Sequence, residues 1–325
     1  VKASRVRCKL CPKECELAPG ERGDCRVRVN IDGKLITLVY GKPCAVHVDP
    51  VEKKPVFHFL PGTRIFSIAT AGCNLHCKHC QNWDISQREP EDTRNTDLPP
   101  EAVVRAAKTY GCMSVAYTYS EPMTFFEYAR DSSALAHKAG LKNVQVTAGY
   151  INEEPLRELC RVTDAANVDL KGFTEQFYRD VCDGDLATVL RTLEIMREEG
   201  VFIEITNLII PTLNDDLTLI RDMCAWIVKT LGPDVPLHFS RFFPRYRLRH
   251  LYPTPSATIE AARDVAGKEG LRYVYVGNVP GVDEDTRCPG CGAILISRVG
   301  YVVKSNRLVN GRCPDCGVSI AGIWK

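Results

Sequence analysis

The chain has 325 residues, 45% of them hydrophobic, and carries 42 Lys and Arg against 40 Asp and Glu, a formal net charge of +2. A chain this long buries roughly three quarters of its extended surface, enough for one large domain with smaller attachments, and its balanced charge neither demands nor excludes a nucleic-acid partner. The sequence holds no run of 18 uncharged apolar residues and no basic leader followed by an apolar stretch, so no membrane partner and a cytoplasmic location are expected.

Sixteen cysteines stand in this chain, and most are grouped. Cys8, Cys11, Cys15 and Cys25 open the sequence, Cys73, Cys77 and Cys80 stand together, and Cys288, Cys291, Cys313 and Cys316 form two knuckles near the end. Metal binding accounts for such groups better than a secreted disulfide scaffold, which is usually shorter. Cys112, Cys160, Cys182 and Cys224 read as small buried hydrophobes, while Cys44 is near enough to the first group to replace a ligand or take part in redox chemistry.

Three segments follow in order. Residues 1–60 form a cysteine-rich, turn-rich module with short extended runs, VRVN and KLITLVY among them, that ends in DPVEKKPVFHF. Residues 61–282 alternate short apolar runs with longer helical stretches, the pattern of an α/β fold. Strands are expected at 65–69, 113–117, 143–147, 167–170, 202–205, 237–240 and 273–276, and helices at 124–139, 154–161, 186–199, 217–231 and 256–269. Gly140, Gly200 and Gly270 follow three of these helices as left-handed stops. Residues 283–325 form a compact β module whose knuckles CPGCG and CPDCG suit a structural Zn²⁺.

Parallel strands place the loops that follow them on one face, so the chemistry is sought there. Directly after the first strand of the repeat comes TAGCNLHCKHCQNW, with Cys73, Cys77 and Cys80 spaced CxxxCxxC. Three thiolates bind three irons of a 4Fe-4S cubane and leave the fourth open, as required for chelation by the methionyl amino and carboxylate groups of S-adenosyl-L-methionine. A three-cysteine Zn²⁺ site completed by His76 or His79 is the plainer alternative.

With these motifs the chain resembles radical S-adenosylmethionine enzymes, more narrowly the radical enzyme of the AmmeMemoRadiSam system, related in its core to pyruvate formate-lyase activating enzymes. The resemblance rests on DPVEKKPVFHF, GCNLHCKHCQNW, YTYSEP, TAGY, VDLKGF, LIIPTLND, PLHFSRFFP and VYVGNVPG, and spans almost the whole chain. It implies a radical SAM partial β/α barrel flanked by the N-terminal module and a C-terminal zinc-ribbon-like module. It also implies a 5'-deoxyadenosyl radical that abstracts hydrogen from an unidentified protein or small-molecule substrate, with an electron donor such as reduced flavodoxin or ferredoxin.

The resemblance sets a planar residue against adenine just before the third cysteine, and here that residue is His79. In YSEP, where many members of the superfamily carry Gly-Gly-Glu-Pro, Glu121 can accept from the methionyl ammonium and Ser120 can reach a polar group. Thr147 and Gly149 admit a close approach of ribose or the methionine backbone. Asp169 and Lys171 flank Leu170, so both polar side chains can face the site; by resemblance Lys171 binds the methionyl carboxylate and Asp169 holds it, the alternative being a purely structural pair. Glu204 and His238 are expected in the barrel interior as cofactor or substrate contacts, with a hydrogen-bonded core histidine as the alternative. Gly277 and Asn278 are candidates for the adenine edge.

At the N-terminus Cys8, Cys11, Cys15 and Cys25 can hold either Zn²⁺ or a second iron-sulfur cluster, because spacing alone does not fix the metal. The run HFSRFFPRYRLRH presents Arg241, Arg245, Arg247 and Arg249 among aromatics, suited to phosphate, carboxylate or RNA, or else to plain solvation. Radical modification of RNA or a nucleotide is therefore the second reading. A zinc-bearing interaction protein without enzymatic activity is the third.

Overall fold

The computed structural model describes residues 4–279 and 281–325. Its centre is an eight-stranded sheet of β1 (Ala45–Pro50), β2 (Arg64–Ala69), β3 (Ser114–Tyr117), β4 (Lys142–Thr147), β5 (Ala165–Asp169), β6 (Phe202–Ile209), β7 (Leu237–Arg241) and β8 (Val274–Gly277). Spatial order follows chain order from β1 to β8, and every pairing is parallel except the antiparallel β1–β2 pair. Residues 65–69 and all of β3 are buried, as parallel strands covered on both faces should be.

Helices α1 (Pro100–Thr109), α2 (Phe126–Lys138), α3 (Glu153–Cys160), α4 (Leu186–Glu198), α5 (Leu217–Thr230) and α6 (Ser256–Lys268) make the crossovers. Asp185 and Asp216 cap α4 and α5, each accepting a backbone N–H at 2.7 Å from Thr188 and Thr218. Gly140, Gly200 and Gly270 take φ values of 79°, 78° and 99° just past α2, α4 and α6, as the sequence implies.

Three elements depart from the sequence reading. Strand β1 lies within residues 1–60, expected as a separate module, yet it pairs with β2 at the edge of the central sheet. Helix α1 is not among the expected helices, although Pro100 at its first turn and Gly111 beyond its end are ordinary signals; its buried face is narrow, chiefly Val103 and Ala107. The expected helix at 124–139 begins instead as a tight 3-10 turn over Pro122–Phe125, which turns the chain sharply after Glu121 before α2 starts.

The N-terminal module is built from two small hairpins, Val6–Arg7 with Glu16–Leu17 and Arg28–Ile31 with Lys34–Thr37. The C-terminal module is a three-stranded antiparallel sheet of Thr286–Arg287, Ile294–Val299 and Val302–Asn306. It packs on the central domain through one apolar cluster that joins Phe57, Tyr273 and Tyr275 to Leu295, Ile296 and Ile320. The tail closes the contact: Ile323 donates to the His58 carbonyl at 2.8 Å, its own carbonyl accepts from Leu60 at 2.8 Å, and the Trp324 ring lies 5.4 Å from that of His58. Among the described residues no helix is long and apolar enough to cross a membrane.

Candidate functional site

A single cavity of about 1130 Å³ lies at the carboxyl ends of the parallel strands, and most of the expected site residues line it. Cys73, Cys77 and Cys80 follow β2, Ser120 and Glu121 follow β3, and Thr147 ends β4. Asp169 and Lys171 close β5, His238 sits on β7, and Gly277 and Asn278 leave β8. Residues far apart in sequence meet here because parallel strands bring their carboxyl ends and the loops that follow them to one face.

The cysteine loop is fixed from outside the cavity. Backbone N–H groups of His76 and Lys78 donate to the carbonyls of Cys182 and Val181 at 2.9 Å each, and Asn82 donates to the Tyr119 carbonyl at 2.8 Å. His76 turns to Gln87 at 2.8 Å and to Asp24 at 2.9 Å, and its ring nitrogens group with Asp24 and Asp183 rather than with the three cysteine sulfurs. Burial pushes the thiols of Cys73 and Cys80 up, so their thiolates persist only beside a compensating cation. Cys182, read from sequence as an isolated buried hydrophobe, brings its Sγ within 4.8 Å of the Cys77 sulfur and a His79 ring nitrogen. It sits in a wide turn over Tyr178–Cys182 with no periodic cue in the sequence.

Glu121 is fully enclosed and accepts from Met123 N–H at 3.2 Å, the Thr147 hydroxyl at 2.6 Å and Ala148 N–H at 2.8 Å. Burial raises its pKa against these donors and the nearby Lys171 charge. A carboxylate offers about four acceptor positions, so one remains for a group in the cavity. Thr147, itself in the cavity wall, gives its hydroxyl hydrogen to Glu121. Lys171 binds Asp169 at 2.8 Å; burial opposes its charge, but Asp169, with the Cys77 and Cys182 sulfurs beside it, outweighs burial and holds its pKa up. Asn207 and Asn214 donate to the Leu170 and Lys171 carbonyls at 2.7 Å each, which sets the direction of that strand end.

His79 is buried, lines the cavity and has an Nδ1 without a partner; burial and then Lys171 hold its pKa down to about 3, so the ring is neutral. The buried Ser120 hydroxyl also faces the cavity unpartnered. Asn278 donates to the Ser240 hydroxyl at 2.9 Å and takes the left-handed φ of 63°, leaving open space beside Gly277, where an added Cβ would meet nothing nearer than 4.0 Å.

Two expected contacts lie elsewhere. Gly149 is absent from the cavity wall: its φ of 69° turns the chain against Thr192 and Val168, each 3.2 Å from where a Cβ would stand, so the glycine serves packing. Glu204 has no exposure and faces inward behind the wall, accepting from His58 N–H at 2.7 Å and bonding His238 Nε2 at 2.6 Å. Burial alone would raise its pKa, and the His238 bond, with further help from His58, brings it down instead. Its effect on the cavity runs through His238.

Sequence reasoning overlooked Lys54 and Arg298. Lys54 is 1% exposed, bonds Asp49 at 2.7 Å and lies 4.1 Å from the Tyr119 ring centre; burial lowers its pKa to about 8 against that pairing. Arg298 comes from the C-terminal module, donates to the Phe57 carbonyl at 2.7 Å and approaches the equally buried Glu52 at 3.8 Å. The signal for Lys54 was its place in DPVEKKPVFHF; nothing local marks Arg298.

The arginine run touches the cysteine loop by its main chain, with Arg247 N–H on the Lys78 carbonyl at 3.0 Å, while Arg245, Arg247 and Arg249 point to solvent. Cys288, Cys291, Cys313 and Cys316 converge with all four sulfurs within 4.8 Å of one another. Cys8, Cys11, Cys15 and Cys25 surround a second, much smaller void. Cys44 lines neither cavity; its N–H is bonded to the Ala69 carbonyl at 2.8 Å.

The residues around the large cavity fit a three-cysteine cluster with its nucleoside cofactor. Three thiols stand at one end, Cys77 buried and Cys73 and Cys80 partly so, and an acidic and a basic side chain and two unpartnered polar atoms face the space beside them. Comparison with known proteins agrees. Residues 67–223 match the Radical SAM superfamily. The uncharacterized protein MJ0808 of Methanocaldococcus jannaschii is 45% identical over 98% of this chain and 95% of its own length. A domain of a pyruvate-formate lyase-activating enzyme from Bacteroides vulgatus is 17% identical over 51% of this chain and 99% of its own, with a TM-score of 0.44. Streptococcus suis SuiB bound to its precursor peptide SuiA shares the fold at a TM-score of 0.52 and 12% identity, over 70% of this chain; the chain spans about half the length of SuiB, 51%. Residues 67–223 thus form a radical SAM superfamily domain, and the chain as a whole belongs to one family with the Methanocaldococcus protein.

Proposed function

We propose that this protein is a radical S-adenosylmethionine enzyme of the AmmeMemoRadiSam type that abstracts hydrogen from a protein or small-molecule substrate inside a partial β/α barrel. The observation that carries the reading is the convergence of Cys73, Cys77, Cys80, Glu121 and Lys171 on one cavity. Cys73, Cys77 and Cys80 would hold a 4Fe-4S cluster, which when reduced supplies the electron that cleaves the sulfonium bond and yields the 5'-deoxyadenosyl radical.

The chain's own residues bind and shield. Glu121 accepts from the methionyl ammonium with its remaining acceptor position, and Lys171, oriented by Asp169, meets the carboxylate. His79 and Ser120 offer the unpartnered Nδ1 and hydroxyl to the nucleoside, and Gly277 lets a flat base lie against the main chain. Cavities that take one drug-sized ligand measure about 300–1,000 Å³. This one is larger, about 1130 Å³, so a substrate group has room beside the cofactor. No general base is needed for hydrogen abstraction; position and exclusion of water supply what the protein must. Zn²⁺ in the C-terminal module fits the tight four-sulfur group there.

The test is 5'-deoxyadenosine formation by anaerobically reconstituted, reduced protein supplied with S-adenosylmethionine and cell extract divided into small-molecule, protein and RNA fractions. Product above a Cys77→Ser control, stimulated by the protein or small-molecule fraction, is the expected result. Stimulation by RNA alone would move the substrate to that class, and no product with a full cluster would overturn the reading.

A further inference from the structure

The three cysteine groups of this chain differ in how closely their sulfurs approach, and the difference bears on what each can hold. One tetrahedral Zn²⁺ with bonds of about 2.3 Å sets its sulfurs about 3.8 Å apart. The C-terminal four obey this: all lie within 4.8 Å of one another, with Cys288–Cys316 at 3.5 Å and Cys291–Cys313 at 3.7 Å. Cys73, Cys77 and Cys80 do not form such a knot among the described residues, as suits ligands to separate irons. Cys8, Cys11, Cys15 and Cys25 follow the second pattern, since no three of their sulfurs come within 4.8 Å of one another. They nevertheless face one void, of about 20 Å³.

Sulfurs spread in this way do not close on one tetrahedral ion. Gly23 brings the main chain in beside two of the sulfurs, its Cβ position lying 3.8 Å from both Cys15 and Cys25 Sγ. Asp24 N–H points at the Cys15 sulfur at 3.4 Å, the kind of amide bond that tunes cluster thiolates. Asn74, 2% exposed, lines the void with an unpartnered Oδ1 while its amide donates to the Tyr150 carbonyl at 2.6 Å.

We infer that Cys8, Cys11, Cys15 and Cys25 bind a second iron-sulfur cluster rather than Zn²⁺. All four thiolates are ligands, so no iron is left open for S-adenosylmethionine, and the group's chemistry is electron transfer. It abuts the first site directly. Asn74 adjoins Cys73, and a Cβ on Gly72 would stand 2.5 Å from the Cys25 carbonyl and 2.5 Å from Val27, so the two cysteine loops touch main chain to main chain. The inference stands on the geometry of the N-terminal module and does not require the radical reading.

Two variants of the full chain, reconstituted anaerobically and measured by iron, sulfide and zinc analysis with Mössbauer spectroscopy, test it. Cys73→Ser/Cys77→Ser/Cys80→Ser should keep about two to four irons with matching sulfide in a cluster whose spectrum ignores S-adenosylmethionine. Cys8→Ser/Cys11→Ser should lose that same complement and keep a cluster whose signal does respond to S-adenosylmethionine. A second zinc equivalent in place of iron in the triple variant overturns the inference. So does an unchanged iron content in the double variant, which also decides the matter where the triple variant fails to fold. Loss of the cofactor response in the double variant, with the N-terminal iron gone and the other cluster present, would count against the radical reading alone.

Discussion

Glu121 illustrates how a single buried carboxylate is made ready for a ligand. Met123, Thr147 and Ala148 hold it in one orientation, and the acceptor position left over looks into the cavity. Glu121→Gln keeps the shape and removes the charge; it should weaken S-adenosylmethionine binding roughly thirtyfold, about 2 kcal/mol for a charge-assisted bond, read as the cofactor Kd at equal cluster content. His58 makes a different prediction. Its Nδ1 lies 2.7 Å from the Ala321 carbonyl and its Nε2 2.6 Å from the Tyr275 hydroxyl, a pattern that suits the neutral ring, and burial takes its pKa from 6.5 to about 4. The unfolded chain therefore binds this proton first as pH falls. The contribution to stability is complete above 6.5 and disappears as pH drops through about 4. Thermal melting followed from pH 7 to pH 4 should fall less steeply in His58→Gln than in the native chain.

At the scale of elements, the carboxyl ends of the strands carry the chemistry, and they were the most legible part of the sequence. Short apolar runs followed by glycine or polar residues have few other uses in a chain of this composition, so β2 to β8 fall within three residues of expectation at their starts, and only β6, ending at Ile209, extends well beyond its expected end. Cys73, Cys77, Cys80, Glu121 and Lys171 were legible for the same reason. What escaped depends on contacts between distant segments: Cys182 reaches Cys77 across about a hundred residues, Glu204 turns behind His238, and Arg298 arrives from another module. Local pattern has no term for such meetings. Arg298 deserves a direct trial, because it faces Glu52 with both side chains wholly enclosed and donates to Phe57 across the module boundary. Arg298→Ala leaves Glu52 without its cation, a loss of about 3–5 kcal/mol when a buried pair is broken. Limited proteolysis should then release the C-terminal module under conditions in which the native chain stays whole.

For the whole molecule, the arrangement is a sheet whose cavity is lined by segments from both small modules' flanks. Glu52–Phe57 come from the chain leading out of the first module, and Arg298 to Tyr301 come from the second. Val299 and Tyr301 remain 66% and 47% exposed, so the wall they form has one wet side and one side toward the site. That wall belongs to a sheet closed by four converging thiols, and small sheets of this kind hold their shape only while the metal is in place. On the proposed reading, in which those thiols hold Zn²⁺, supply of the ion governs more than folding. Without it the cysteine loop would stay intact under an unroofed chamber, where the radical would meet dioxygen and stray hydrogen donors before any substrate.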